Sequence, residues 1–170
     1  MKKTENKKGY SFSNSHINKF SRDQALSKIY RYCAYQERSH KEVKAKLLTY
    51  GLRYTEADEI VSKLITDGFL NEERFAKAFA GGKFRILKWG KLKIQRELEG
   101  RGLTPRCIAK GLAEIDRQEY AKTLHLLLSK QQKTVHEPNL FKKKSKIARY
   151  AIGKGYEPEL VWEEIQHLFE

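Results

Sequence analysis

The chain is poor in the residues that interrupt helices and in those that build metal sites. It has only 3 prolines and 2 cysteines in 170 residues. Cys33 and Cys107 lack partners at metal-ligand spacing, which favours buried thiols in a reducing cytosol. No apolar run reaches the length of a membrane span, and none follows the basic N-terminus as in a signal peptide. We therefore expect a cytoplasmic protein with no membrane partner.

Motifs that would indicate catalysis are also missing. The sequence contains no P-loop, no G-x-S-x-G segment and no D-x-D pair. Its histidines show no H-x-x-x-H spacing and no partnership with cysteine: His16, His40, His125, His136 and His167. The carboxylates fall at helix caps and in first turns, where structure alone explains them. We expect neither an enzyme nor a cofactor-binding protein.

Positive charge is what the chain has in excess. It carries 35 Lys and Arg against 21 Asp and Glu, a formal net charge of +14. Such an imbalance favours a polyanionic partner, either nucleic acid or an acidic protein surface. The hydrophobic fraction of 39% suits an extended, surface-rich protein better than a compact enzyme with a large core.

The strongest pattern is a repeat in register with Gly51, Gly102 and Gly155. Six residues after each glycine stand Ala57, Ile108 and Val161. Five further positions, at −8, −4, +1, +10 and +13, are also apolar in all three copies. These spacings place side chains on one face of a helix, and nothing alternates with the period of a strand. The sequence predicts an all-α fold, an elongated and curved array of three tandem three-helix repeats.

Composition and capping signals divide the chain into four segments. Residues 1–20 are predicted to be a disordered basic tail, followed by repeats at 21–70, 71–115 and 116–170. A polar insertion at about 129–140 is expected to lengthen the first loop of the third repeat. Capping boxes are predicted at Ser21 with Gln24 and at Ser39 with Glu42, and Thr55 is predicted to cap the third helix.

The charge is concentrated on the second helix of each repeat. Residues 142–154 hold six cations and no carboxylate, and residues 83–101 hold seven cations against two carboxylates. Third helices are more acidic, since residues 157–170 contain five glutamates and no lysine or arginine. Stacking is expected to bring the second helices side by side as one basic stripe. A solvated helix face would have the same composition, but recurrence in all three repeats favours binding.

We expect the residues of the basic stripe to contact the partner. Trp89 is included because an aromatic among bases can stack on a nucleobase or anchor a protein contact, although such a tryptophan more often packs a loop onto its own repeat. The predicted contact residues are Arg38, Lys41, Lys44, Lys83, Arg85, Lys88, Trp89, Lys91, Lys93, Arg96, Lys142, Lys143, Lys144 and Lys146.

Three segments carry a resemblance to a known family. Gly68–Ala76 reads GFLNEERFA, Trp89–Leu103 reads WGKLKIQRELEGRGL, and Glu37–Val43 reads ERSHKEV. Together they resemble the RecX family of recombination regulators, from about Arg22 to the C-terminus. Asn71 replaces a usual Asp and Val43 a usual Leu; an N-cap accepts Asn and Asp equally.

The resemblance implies a cytoplasmic bacterial regulator of recombination, DNA repair and the SOS response. Such a protein is expected to bind, as a monomer, the RecA recombinase filament on single-stranded DNA. It would lie along the filament groove, contact neighbouring subunits, and depress ATP hydrolysis and strand exchange. Whether the basic stripe meets DNA phosphates or acidic recombinase surface stays open. The alternative is a stand-alone nucleic-acid-binding helical repeat that needs no protein partner.

Overall fold

The computed structural model describes residues 20–170, and all regular secondary structure within them is α-helical. This confirms the all-α prediction. None of the helices in this part of the chain is long and apolar enough to cross a membrane. The helices are α1 (Arg22–Tyr35), α2 (His40–Thr49), α3 (Tyr54–Thr66), α4 (Glu72–Leu87), α5 (Lys91–Gly100), α6 (Pro105–Ala113), α7 (Arg117–Thr134), α8 (Leu140–Gly153) and α9 (Pro158–Leu168).

The helices pack in consecutive sets of three, which confirms the predicted tandem repeats. We call α1–α3 unit one, α4–α6 unit two and α7–α9 unit three. All the extensive helix–helix contacts join helices of the same unit. The predicted disordered tail lies outside the described residues except for Phe20, whose ring packs edge-on against Tyr50 with centroids 5.2 Å apart.

The units do not contribute equally to the hydrophobic core. Unit one has a core of its own around Ile29, Leu47 and Leu64. Units two and three share one continuous core that extends from Phe75 to Ile165. Cys33 and Cys107 are both free, and burial raises the pKa of the Cys33 thiol to about 11. The two-core arrangement means that unit one contacts the rest of the chain mainly through polar groups.

The repeated glycines end the second helix of each unit in the same way. Gly51, Gly102 and Gly155 have φ values of +90°, +78° and +95°, a left-handed conformation that a side chain disfavours. The next amide donates back to the carbonyl five residues earlier, as in Leu52 N to Leu47 O at 3.4 Å. This Schellman ending brings the apolar residue after the glycine against the helix. It explains why positions −4 and +1 are apolar in every repeat.

Two local predictions are wrong for identifiable reasons. Thr55 does not cap α3, because Arg53 is the N-cap and the Glu56 carboxylate accepts from its backbone amide at 2.8 Å. The predicted loop at about 129–140 is only partly a loop, since α7 continues to Thr134. Its last turns are held by the Gln132 side chain, which donates to the Leu168 carbonyl at 2.8 Å.

Two helical glycines provide a matched test of the packing in unit two. A Cβ at Gly111 would lie 2.8 Å from the Ala76 backbone, where α6 crosses α4, whereas a Cβ at Gly82 meets nothing within 4 Å. We expect Gly82→Ala to stabilise the protein by about 0.5–1 kcal/mol through helix propensity. Gly111→Ala gains the same propensity but should destabilise by about 1–2 kcal/mol net because the helices must separate.

The measurement is urea unfolding of both variants, followed by circular dichroism. Equal stabilisation by the two substitutions would show that α4 and α6 do not approach as closely as described.

Candidate functional site

The three basic second helices meet at their ends. At the junction of units two and three, the Gly90 amide donates to the Lys154 carbonyl at 2.9 Å, and the Leu92 amide donates to the Gly155 carbonyl at 3.0 Å. The C-terminal end of α8 therefore abuts the N-terminal end of α5. A Cβ at Gly90 would lie 2.2 Å from the Gly155 backbone, so this contact requires glycine.

The same arrangement recurs, with side chains, between units one and two. The Lys41 ammonium, in the first turn of α2, donates to the Gly100 carbonyl at the end of α5 over 2.8 Å. Arg101 also lies 3.5 Å from the Glu42 carboxylate. The order is thus α8, α5, α2, with the C-terminus of each helix facing the N-terminus of the next. Opposite ends of the helix dipoles meet at both junctions, which is favourable.

We call α2, α5 and α8 together the basic column. The helices were expected to lie side by side, but the backbone and lysine contacts join them end to end. The difference arises because the junctions use helix termini, where carbonyls and amides without intrahelical partners are available. No apolar stripe indicates such contacts in the sequence.

Some predicted contact residues are already engaged within the protein. Lys44 pairs with Asp58 of α3 at 2.6 Å, and Lys146 pairs with Glu137 at 2.6 Å. Lys41 holds the unit junction, and the Arg38 guanidinium lies 4.0 Å from the centroid of the Tyr32 ring. The acidic third helix of unit one thus neutralises part of the column.

The cations of unit two rest on aromatic rings. Lys83 and Lys93 lie over the Trp89 ring at 5.1 and 4.4 Å from its centroid, and Lys91 lies over Tyr120 at 4.8 Å. Trp89 is half-buried and packs against the shared core of units two and three. The ring therefore has a structural role, and it orients two ammonium groups by cation–π attraction.

The remaining predicted residues have no carboxylate partner among residues 20–170. Arg96 donates only to the Leu92 carbonyl of its own helix, at 3.3 Å, and Lys144 lies over Phe169 at 5.2 Å. Cations without a carboxylate partner therefore concentrate at the end of α4, along α5 and at the start of α8. The others in this group are Arg85, Lys88, Lys142 and Lys143.

Sequence reasoning missed the tyrosine pair that supports the column at the α5–α8 junction. Tyr120 stacks on Tyr156 with centroids 5.0 Å apart. Its hydroxyl donates to the Glu157 carboxylate at 2.6 Å and accepts from the Lys91 amide at 3.0 Å. Burial, together with the Glu157 carboxylate, raises the pKa of Tyr120 well above its ordinary value. The signal was present, since Tyr120 occupies the apolar stripe of α7, but its polar contacts could not be inferred.

Tyr156 differs from Tyr120 in its hydrogen bonding. It is fully buried, and its hydroxyl has no partner among residues 20–170. Burial raises the pKa of Tyr156 to about 12. Both rings therefore stabilise the junction by packing, but only Tyr120 also stabilises it by hydrogen bonds.

Comparison with known proteins identifies related sequences. The family model described as "RecX, second three-helix domain" matches residues 71–112, which cover most of unit two. Regulatory protein RecX of Bacillus cereus (strain B4264) is 25% identical over 130 residues, covering 76% of this chain and 48% of that protein. Regulatory protein RecX of Bacillus thuringiensis (strain Al Hakam) is 24% identical with the same coverage. The chain spans about half the length of these curated relatives.

Solved structures have the same fold. The crystal structure of RecX from Lactobacillus salivarius superposes with a TM-score of 0.76 at 21% identity, covering 86% of this chain and 96% of that one. A second structure, described as regulatory protein RecX, gives a TM-score of 0.77 at 18% identity, covering 86% and 71% of the two chains.

The tyrosine pair yields a matched prediction. Tyr156→Phe removes a buried hydroxyl without a partner, so it should leave stability unchanged or raise it by about 1 kcal/mol. Tyr120→Phe leaves the Glu157 carboxylate and the Lys91 amide unpaired, and should destabilise by about 1–3 kcal/mol. Thermal and urea unfolding at pH 7 measure both effects, and the reverse order would contradict the junction geometry.

Ionisation of the same two tyrosines is expected to lower the stability of the protein at alkaline pH. Both phenols have a folded-state pKa above the ordinary value of 10, so the stability linked to their protonation is complete below pH 10 and falls as the pH rises above it, for Tyr156 until about pH 12. Tyr156→Phe should therefore retain more of its neutral-pH stability at pH 11 than the unsubstituted protein. An identical loss in both proteins would show that Tyr156 does not contribute to the alkaline transition.

Proposed function

Because this chain belongs to the RecX family, we propose that it regulates a RecA recombinase by binding the filament that the recombinase forms on single-stranded DNA. It binds as a monomer in the cytoplasm, lies along the filament groove and contacts neighbouring recombinase subunits. Its effect is to depress ATP hydrolysis and strand exchange. It acts by binding alone, without catalysing a reaction or using a cofactor.

The end-to-end basic column is the observation that supports this proposal. Its helices contain 10, 10 and 14 residues, a combined length of about 50 Å at a rise of about 1.5 Å per residue. A cationic surface of that length suits a partner that repeats along an axis. Weak contacts from each unit then add through effective concentration, so no single unit needs high affinity.

The charge of the column fits a nucleoprotein filament in particular. A nucleoprotein filament carries both DNA phosphates and protein carboxylates, and exposed ammonium and guanidinium groups attract both. Repulsion among the column's own exposed cations is screened by salt and amounts to a few tenths of a kcal/mol per pair or less. The protein therefore tolerates the column when it is free and is attracted to the groove when the filament is present.

The direct test is the ATPase activity of RecA on single-stranded DNA in the presence of this protein. We expect inhibition at stoichiometric ratios. The double variant Arg96→Glu, Lys142→Glu reverses two column cations that have no carboxylate partner, so it should need about 10-fold more protein for the same inhibition. The double variant Arg106→Glu, Lys122→Glu reverses two exposed cations of α6 and α7, outside the column, and serves as the matched control.

Two outcomes would reject the proposal. One is unchanged ATPase activity at stoichiometric ratios of the unsubstituted protein. The other is an equal loss of inhibition in the column variant and in the Arg106→Glu, Lys122→Glu control.

Stand-alone nucleic-acid binding is the second candidate, favoured by the column cations that have no carboxylate partner. If the protein binds naked DNA through six to ten phosphates, its affinity should fall roughly 10³–10⁵-fold between 50 and 200 mM salt. A filament regulator should instead bind naked single-stranded DNA weakly and the assembled filament much more tightly. Anisotropy titrations of labelled oligodeoxythymidine, with and without RecA, separate the two. Equal affinity for naked and RecA-coated DNA would favour the stand-alone function.

A further inference from the structure

A cleft at one edge of the predicted stripe lies between α7 and α8, beside the C-terminal end of α4. Its volume is about 330 Å³. We call it the lysine cleft, and its main lining residues are Lys88, Leu126, Leu127, Lys130, Tyr150 and Lys154. Of these, only Lys88 belongs to the contact set predicted from the sequence.

The cleft combines an apolar wall with a cationic rim. Leu126 is 58% exposed and lines the cleft beside Leu127, whereas Leu124 and Leu128 of the same helix are buried in the core. Lys88, Lys130 and Lys154 supply three ammonium groups, and no carboxylate lines the cleft among residues 20–170. An occupant must therefore offer anionic groups and an aliphatic surface together.

The backbone at Lys88 is a second, independent observation. Lys88 ends α4 in the left-handed conformation, with φ of 55° and ψ of 40°. It is the only residue other than glycine with positive φ in the described part of the chain. Glycine would adopt this conformation without the steric penalty that a Cβ brings. A lysine at this position instead places an ammonium group at the cleft rim, which glycine could not do.

Lys154 is already oriented towards the cleft. Its ammonium donates to the Leu87 carbonyl at 3.3 Å and lies 5.8 Å from the centroid of the Tyr150 ring. Two weak contacts hold the charge in place without neutralising it. Lys88 and Lys130 have no carboxylate partner among residues 20–170, so the rim keeps its full positive charge.

The geometry points to the lysine cleft as a docking site for an acidic segment of the protein partner that carries an aliphatic side chain. The carboxylates meet the three ammonium groups, and the aliphatic side chain packs on Leu126 and Leu127. This inference rests on the proposed function, since the partner is the recombinase of the filament. It assigns to protein recognition a cleft that adjoins the C-terminal end of α8 in the basic column.

The apolar wall argues against nucleic acid as the occupant. Bases bind by stacking on aromatic rings. Tyr150 is the only aromatic lining residue, and Lys154 already lies over its ring. Leucine side chains have no complementary group on a phosphodiester backbone.

The test measures binding to two probes: RecA filaments assembled on single-stranded DNA, and fluorescein-labelled oligodeoxythymidine alone. Leu126→Gln removes the aliphatic wall and leaves the charge unchanged. We expect it to weaken filament binding about 5- to 10-fold and to leave oligonucleotide binding unchanged. Leu160→Gln, at a leucine of α9 that is 41% exposed and outside the cleft, is the matched control and should bind both probes normally.

A second pair of variants uses the left-handed backbone at Lys88. Lys88→Gly relieves the backbone strain and removes the charge, whereas Lys88→Gln removes the charge and keeps the strain. Both should weaken filament binding about 3- to 10-fold, but only Lys88→Gly should raise the Tm, by a few degrees. A lowered Tm for Lys88→Gly, or normal filament binding by both variants, would overturn the inference.

The outcomes separate this inference from the proposed function. If the unsubstituted protein does not bind the filament, the proposed function is wrong, and the recombinase is not the occupant of the cleft. If it binds and Leu126→Gln binds equally well, the inference alone is wrong. If Leu126→Gln and Lys88→Gln weaken the filament and the naked oligonucleotide in parallel, the occupant is nucleic acid and the inference is overturned.

Discussion

The arrangement of the basic surface depends on a backbone contact between two helix ends. Gly90 and Leu92 at the start of α5 donate to the last carbonyls of the α8 turn, at Lys154 and Gly155. The approach is possible only because each helix end carries a glycine there: a Cβ on Gly90 would overlap the Gly155 backbone, and a Cβ on Gly155 would overlap Lys93. Amides and carbonyls that a helix leaves without partners thus satisfy each other. The result fixes α5 and α8 in sequence as one continuous basic surface.

Several cations of units two and three are held beside this contact. Trp89 and Tyr120 sit on the shared core beside the junction, and lysines of α4 and α5 lie over their rings. Cation–π attraction orients these side chains without removing their charge. In unit one, by contrast, Asp58 of α3 neutralises Lys44. Charge available to a partner is therefore greatest at units two and three.

The sequence predicted the parts of the fold that follow local rules. A helix-ending motif that requires apolar residues at fixed offsets occurs at Gly51, Gly102 and Gly155. The three-helix repeats could therefore be predicted from the sequence. The extension of α7 to Thr134 and the choice of Arg53 as an N-cap were not predicted. The extension of α7 depends on the hydrogen bond from the Gln132 side chain to the Leu168 carbonyl at the end of α9. The N-cap of α3 depends on the Glu56 carboxylate, which accepts from the Arg53 amide.

The candidate site was harder to predict than the fold, because its geometry depends on contacts between residues that are distant in the sequence. Composition identified the basic second helices, but their end-to-end order arises from terminal hydrogen bonds that leave no periodic signal. The lysine cleft unites residues from the ends of α4 and α8 and from α7, which only the tertiary structure brings together.

The most direct measurement is a cryo-electron microscopy structure of this protein bound to a RecA filament on single-stranded DNA. The account predicts that α2, α5 and α8 face the filament groove in unbroken order and touch neighbouring recombinase subunits. A complex in which the acidic helices α3 and α9 face the filament, with the basic column turned to solvent, would contradict it.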